Sequence, residues 1–283
     1  MQIARTIAEF RALRRGARPP LGFVPTMGYL HAGHRALIER ARSECAAVAV
    51  SIFVNPMQFG PNEDFERYPR DEPGDLALCE AAGADLILIP PLHEMYPAGT
   101  STAVRVGGLT GVLEGAHRPG HFDGVATIVT KLFNVVTPDR SYFGRKDAQQ
   151  LRVIRRLVRD LDLPVEIVDC ATVREPDGLA LSSRNVYLSP EERAQALSLS
   201  RGLRRAEEAF VAGERDAEAL RRLVRDEIEA QPLARIDYVS LADSESLAEL
   251  EGRVGGPALL SLAVRFGGTR LIDNVVLEPP AAG

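Results

Sequence analysis

The chain has no tryptophan, only three cysteines, and no apolar run near the roughly 20 residues that a bilayer-spanning helix needs. Cys45, Cys79 and Cys170 are odd in number, far apart and set among apolar neighbours. They read as buried reduced thiols, which argues against a disulfide framework and against a cysteine-built zinc site. The opening Met1-Gln2-Ile3-Ala4-Arg5 lacks the apolar core of a signal peptide, so the expected location is the cytoplasm. Basic charge is scarce as well: 34 Lys and Arg stand against 39 Asp and Glu, for a formal net charge of −5. A surface that grips nucleic acid by its phosphates needs the opposite balance, and neither nucleic acid nor membrane is an expected partner.

What remains is an ordinary globular composition, 45% hydrophobic over 283 residues. At the usual ~100–200 residues per domain this length predicts two domains. A helix-like segment from Ile3 to Arg14 opens the chain. Strand candidates follow at Leu21–Val24, Ala47–Val54, Ala84–Ile89, Ser141–Phe143 and Val165–Asp169, with helical patterns between most of them. The second and third are continuous and rich in Val and Ile, as strands buried on both faces of a parallel sheet should be. The alternation predicts a Rossmann-like α/β domain. Near Ser189 the character changes: Ser189 is a good N-cap, Pro190 suits the first helical position, and Glu191 and Glu192 suit the first turn. Two charged amphipathic helices are expected to about Ala212 and from Asp216 to about Ala230. Strands at Ile236–Leu241, Ala258–Phe266 and Arg270–Leu277 then complete a small α+β domain folded over the first. The domains are expected over residues 1–184 and 185–283.

In open α/β sheets ligands sit at the carboxyl ends of strands, and three unusual polar motifs follow such ends here. The first, Phe23-Val24-Pro25-Thr26-Met27-Gly28-Tyr29-Leu30-His31-Ala32-Gly33-His34, joins a strand to a helix through a turn carrying two histidines. First-turn amides without intrahelical partners and the positive end of the macrodipole favour phosphate there. His31 and His34 fall on one helix face, and Gly33 leaves room for a close ligand; the bland alternative is a pair of capping histidines. The second motif, Asn55-Pro56-Met57-Gln58-Phe59, offers the amide of Gln58, which can hold hydroxyl and carboxylate oxygens without adding charge. The third is Gly144-Arg145-Lys146-Asp147, where Lys146 suits a phosphate oxygen, Asp147 suits a ribose hydroxyl or a cap, and Gln150 lies one turn on. Arg118-Pro119-Gly120-His121 adds a guanidinium suited to bidentate pairing with an anion and a histidine able to donate to one. Leu181-Ser182-Ser183-Arg184-Asn185, at the expected domain junction, has the make-up of a lid over polyphosphate. A nucleotide site alone does not separate an enzyme from a sensor that binds ATP without breaking it.

Together these motifs closely resemble the pantothenate synthetase (pantoate–β-alanine ligase) family of the HxGH nucleotidyltransferase group. The likeness runs from Pro25-Thr26-Met27-Gly28 through Ser51-Ile52-Phe53-Val54-Asn55-Pro56-Met57-Gln58-Phe59-Gly60, Arg118-Pro119-Gly120-His121-Phe122 and Tyr142-Phe143-Gly144 to Ser182-Ser183-Arg184-Asn185, about the first two thirds of the chain. It implies a Rossmann-like domain binding ATP and pantoate, a smaller C-terminal domain that closes on ATP, and a homodimer. The implied reaction condenses pantoate with β-alanine, using ATP and Mg²⁺, through a pantoyl-adenylate. By matching position, Met27, Gly28, Tyr29, Leu30, His31, Ala32, Gly33 and His34 would line the ATP site. Gly144, Arg145, Lys146, Asp147, Val173, Leu181, Ser182, Ser183 and Arg184 would complete it. His34 would be the catalytic histidine, with His31, Lys146 and Arg184 acting beside it. Gln58 and Gln150 would hold pantoate in a pocket that later admits β-alanine, with Arg118 and His121 as further substrate contacts; these two neutral amides argue against the rival within the group, a transferase of AMP to a phosphate or of CMP to an alcohol. Asp75 is a candidate contact to the metal. Four positions depart from the family's habit: Leu181 for Met, Arg145 for Glu, Ala148 for Tyr and Ala32 for an acid. Leu for Met keeps apolar volume; Arg145 reverses a charge beside the nucleotide loop, which bears on ATP affinity and salt dependence.

Overall fold

The computed structural model describes residues 1–61 and 63–279. In chain order its elements are β1 (Gln2–Ala4), α1 (Ile7–Arg14), β2 (Leu21–Thr26), α2 (Ala32–Glu44), β3 (Ala47–Ile52), α3 (Glu72–Ala81), β4 (Leu86–Leu88), α4 (Leu92–Met95), α5 (Leu113–His117), α6 (His121–Val136), β5 (Arg140–Gly144), α7 (Ala148–Asp160), β6 (Glu166–Cys170), α8 (Pro190–Val211), α9 (Ala217–Glu229), β7 (Ala234–Asp243), β8 (Ala258–Phe266) and β9 (Thr269–Leu277). The chain packs as two units. One comprises Met1–Gly111, Gly115–Arg145 and Gln150–Ala171; the other comprises Val112–Glu114, Lys146–Gln149 and the chain from Thr172 onward. The last crossing falls between Ala171 and Thr172, so residues 172–184, grouped with the first domain from sequence, cluster with the second unit.

The first unit is a six-stranded, all-parallel sheet in the order β1-β4-β3-β2-β5-β6. Successive side chains of a strand point to opposite faces, and β2 shows the consequence. Phe23 meets the ring of Phe133 on α6 at 6.4 Å, while Val24 packs with Ile38 and Ala41 of α2. The sheet is therefore covered on both faces, which is why β2, β3 and β4 read as unbroken apolar runs. The three cysteines are free and buried, as expected, and burial pushes the Cys79 thiol up to about 12.

One expected element is corrected. The opening segment is not a single helix: Gln2–Ala4 form β1, paired with Leu86–Leu88, and α1 starts only at Ile7. Thr6 caps that helix by accepting from the Glu9 amide while Glu9 accepts from the Thr6 amide. Thr6-Ile7-Ala8-Glu9 is a capping-box pattern, the signal that marks the true start.

The second unit is an antiparallel sheet in the order β7-β8-β9 with α8 and α9 packed together and onto it. Ser189 caps α8 with Glu192 as its reciprocal partner and Pro190 in the first turn, as predicted. A short strap from far upstream joins this unit. Glu114 accepts from both terminal nitrogens of Arg270 (2.6 and 2.8 Å) and from the Tyr238 hydroxyl (3.0 Å). Among the described residues no helix is long and apolar enough to cross a membrane.

Candidate active site

Strand order in the first unit reverses between β2 and β5, where open parallel sheets leave a crevice at the strands' carboxyl ends. The histidine turn leaves β2 there, and Gly144 and Arg145 leave β5. The turn holds two left-handed residues in succession, Gly28 at φ 84° and Tyr29 at φ 51°. Gly28 has no alternative, because a Cβ there would lie 3.0 Å from Asp75 Oδ2 and 3.1 Å from Ile52 Cγ2. Tyr29 adopts this conformation at a steric cost, so its surroundings must hold it.

They do so through the backbone amides. Thr26 Oγ1, itself donating to the Ser51 carbonyl, accepts from Gly28 N–H (3.3 Å). The carboxylate of Asp75, on α3, accepts from Tyr29 N–H (2.9 Å) and Leu30 N–H (2.6 Å). His34 Nδ1 accepts from His31 N–H (3.3 Å), and His31 Nδ1 accepts from Gly33 N–H (3.1 Å). Five amides of this turn are bonded within this corner of the fold, and one of them, Gly33 N–H, is a first-turn amide of the kind expected to meet phosphate. Both histidines cap α2, the bland reading, yet that fixes their chemistry. A ring whose Nδ1 accepts a proton carries its own on Nε2, so each neutral imidazole is set as an Nε2–H donor. The two ring centroids lie 4.2 Å apart. Gly33 is required by this arrangement rather than by a ligand: a Cβ there would sit 2.8 Å from His31 Cε1.

The second cluster surrounds Gln58, which ends a short 3-10 turn and is 8% exposed. Its Oε1 accepts from Asn55 Nδ2 (3.0 Å), and its Nε2 faces Met27 Sδ at 2.9 Å. Asn55, 1% exposed, uses every site it has. Nδ2 donates also to the Gly124 carbonyl (3.1 Å), while Oδ1 accepts from the Tyr96 hydroxyl (2.8 Å) and from Met57 N–H (3.3 Å). Flipping the Asn55 amide would oppose oxygen to oxygen, so the chain Tyr96, Asn55, Gln58 dictates which end of the Gln58 amide is left to donate. Burial pushes the Tyr96 hydroxyl up to about 12, so it keeps its donor proton near neutrality. Gly124 admits this approach: a Cβ there would lie 2.3 Å from the Met57 carbonyl oxygen.

Arg118 and His121 fall in the same cluster, but they hold protein. Arg118 pairs in bidentate fashion with Glu63 (2.7 and 2.6 Å) and donates to the Gln58 carbonyl (3.2 Å), and His121 Nδ1 lies 2.8 Å from that same carbonyl. Their observed part is to latch the Gln58 backbone. Burial raises the Glu63 carboxyl, but the hydrogen bond and charge of Arg118 outweigh it and the carboxyl ends below the usual glutamate range. A carboxylate depressed in the folded state contributes stability above its unfolded value and loses it as pH falls through the folded one. Glu63→Gln is therefore expected to cost about 1 kcal/mol near neutrality, with the gap to wild type closing as pH falls below the ordinary glutamate value. Urea unfolding across pH checks this; a gap independent of pH would refute it.

The remaining sequence candidates divide between the units. Gln150, half-buried in the first turn of α7, belongs to the first, and so does Arg145, whose guanidinium pairs with Asp169, which Arg155 also holds. The reversed charge is thus offset within its own unit. Lys146, Asp147, Val173 and Leu181–Arg184 belong to the second unit. Asn274 Nδ2 anchors the Lys146 carbonyl (2.7 Å), Leu181 N–H donates to the Val173 carbonyl (3.0 Å), and Ser182 Oγ accepts from Arg184 N–H (3.3 Å). The chain has only two lysines; the other, Lys131, lies over the Tyr96 ring at 5.4 Å.

With this geometry in hand, comparison with known proteins decides the family. The profile described as Pantoate-beta-alanine ligase matches residues 2–276. The chain belongs to the pantoate-beta-alanine ligase family. The pantothenate synthetase of Chloroflexus aurantiacus is 63% identical over 279 residues, covering 98% of this chain and 99% of that protein. That of Moorella thermoacetica is 56% identical over 281 residues, again 98% and 99%. The crystal structure of pantothenate synthetase from Thermus thermophilus superposes with a TM-score of 0.94 at 52% identity, covering 99% of this chain and 100% of that one. The pantoate-beta-alanine ligase of Francisella tularensis, complexed with beta-gamma ATP and beta-alanine, gives 0.81 at 34% identity over the whole of both chains. Family membership therefore extends through the C-terminal third, where the sequence carried no specific motif.

Proposed function

We infer that the chain joins pantoate to β-alanine at the cost of ATP, yielding pantothenate, AMP and pyrophosphate through a pantoyl-adenylate. Its family and its relatives' names support the ligation, and the Francisella relative's complex supports ATP and β-alanine as substrates. The observation that carries the mechanism is the histidine turn, with both Nδ1 atoms occupied and both rings set as Nε2–H donors.

In the first step a pantoate carboxylate oxygen attacks the α-phosphorus and the bond to pyrophosphate breaks. A carboxylate with a pKa near ~4 is already ionised at neutral pH, so this step needs no base. Charge grows on the α-phosphate and on the departing pyrophosphate, and a preoriented donor there lowers the barrier. His34 and His31 supply such donors from the first unit; Lys146 and Arg184, assigned to the phosphates by their matching positions, supply cationic charge. Gln58 and Gln150 bind pantoate as neutral amides. In the second step the amine of β-alanine attacks the acyl carbon, loses a proton, and AMP leaves.

Magnesium enters as part of the substrate, MgATP, with phosphates and waters as its ligands. Among the described residues no three His, Cys, Asp or Glu side chains gather as a metal-binding group, and Asp75 already accepts backbone protons with both oxygens. The same reading makes the protein a cytoplasmic homodimer, for which light scattering would give about twice 30.8 kDa.

The deciding experiment is exchange of labelled pyrophosphate into ATP with Mg²⁺ and pantoate present and β-alanine withheld. Exchange that depends on pantoate is the expected result. ATP binding with no exchange under any candidate acid would overturn the adenylation mechanism and favour a nucleotide sensor.

A further inference from the structure

Successive backbone amides in a turn form a concavity that ordinarily collects an anion. In this chain the turn runs through Gly28 and Tyr29, both at positive φ, and Tyr29 and Leu30 supply the amides, yet the anion is internal: the Asp75 carboxylate, 3% exposed, with one oxygen on each N–H at 2.9 and 2.6 Å. We propose that Asp75 is a positioning residue, whose carboxylate fills the nest of the histidine turn, holds Tyr29 in its strained conformation and thereby sets His31 and His34. This rests on the role given to His34 above.

Three observations support it. The amides bonded by Asp75 are those immediately before His31 N–H, which His34 Nδ1 accepts, so any relaxation of Tyr29 or Leu30 passes directly into the histidine cap. The fit is close, since Asp75 Oδ2 lies 3.0 Å from where a Cβ on Gly28 would stand. The bonds are charge-assisted and buried, the class whose loss is most costly. Burial pushes the Asp75 carboxyl upward and the two amides pull it back, so the turn and the carboxylate sustain each other. With the nest occupied from within, nucleotide phosphate is met by the imidazoles rather than by these amides.

The test uses the full chain and three readouts. In Asp75→Asn one oxygen remains to accept and an NH₂ opposes the other amide. The pantoate-dependent exchange rate at saturating substrates is expected to fall roughly 10- to 100-fold, the scale of a misplaced catalytic group. The KM for pantoate should stay near wild type, and so should the Mg²⁺ concentration giving half-maximal rate. A rate recovered by raising Mg²⁺ would overturn the proposal in favour of a metal contact, and an unchanged rate would overturn it outright. Hydrogen exchange on the wild-type protein without nucleotide needs no variant: the Tyr29 and Leu30 amides should be protected, and free exchange at both would refute the closed nest. If the wild type itself shows no pyrophosphate exchange, the adenylation reading fails, an outcome distinct from a wild type and an Asp75→Asn variant that exchange equally.

Discussion

Replacing His34 by alanine is expected to cut pantoate-dependent pyrophosphate exchange by roughly 10²–10³-fold, the usual cost of removing one preoriented donor to a developing charge. Alanine also removes the Nδ1 that accepts from His31 N–H at 3.3 Å, a cap worth about 1 kcal/mol, so a rate loss alone would confound chemistry with folding. His34→Gln separates the two. His34 stands at the third helical position of α2, where a glutamine can accept the capping residue's N–H just as Nδ1 does. The glutamine variant should keep the melting temperature of the wild type and still lose most of the exchange rate. His34→Gln with near wild-type exchange would show that His34 is a cap and no more, and would remove it from the mechanism.

His31 and His34 share an orientation that the sequence could not reveal. An HxGH motif says that two imidazoles share a helix start, but not which ring atom of each accepts from the backbone. That depends on His31 folding back over Gly33, a contact that only the turn's geometry creates. The broad architecture was legible because its causes are local. Continuous Val and Ile runs mark strands buried on both faces, and Ser189-Pro190-Glu191-Glu192 marks a helix start by capping chemistry alone. β1 was missed because an edge strand of three residues carries no period of its own and owes its state to Leu86–Leu88, over eighty residues away. Arg118 was read as a ligand contact because its charge was visible and its partner was not: Glu63 lies 55 positions upstream. The last crossing, at Ala171 and ahead of 184, has the same origin, since Arg174 is held by Asp273 on β9 through bonds of 2.6 and 3.0 Å. Asn55 and Tyr96 carried no signal beyond a turn-forming Asn-Pro pair and an aromatic near a helix end; their meaning lies in a hydrogen-bond chain spanning 41 positions.

That chain makes Gln58 the second test. Gln58→Ala is expected to raise the KM for pantoate roughly 10- to 100-fold while leaving the KM for ATP within a few-fold, because a site built to hydrogen-bond a substrate loses that much when a buried polar partner disappears. The substitution also strands one N–H of Asn55, at a cost of about 1–3 kcal/mol, and a lower melting temperature will accompany it. Gln58→Glu, compared with alanine at matched folded fraction, restores the acceptor for Asn55. A carboxylate at this position keeps an oxygen for Asn55 Nδ2 to donate to, while the Nε2 that donates to Met27 Sδ is replaced by an anionic oxygen, which would also oppose a carboxylate substrate. Repulsion should then weaken pantoate binding at least as much as alanine does, and more strongly at low salt, where the charge is least screened. A carboxylate variant that folds like wild type and binds pantoate normally would mean that the Gln58 amide faces protein alone. The pocket for the acid would then have to be sought around Gln150, whose first-turn position on α7 places a second neutral amide in the same unit.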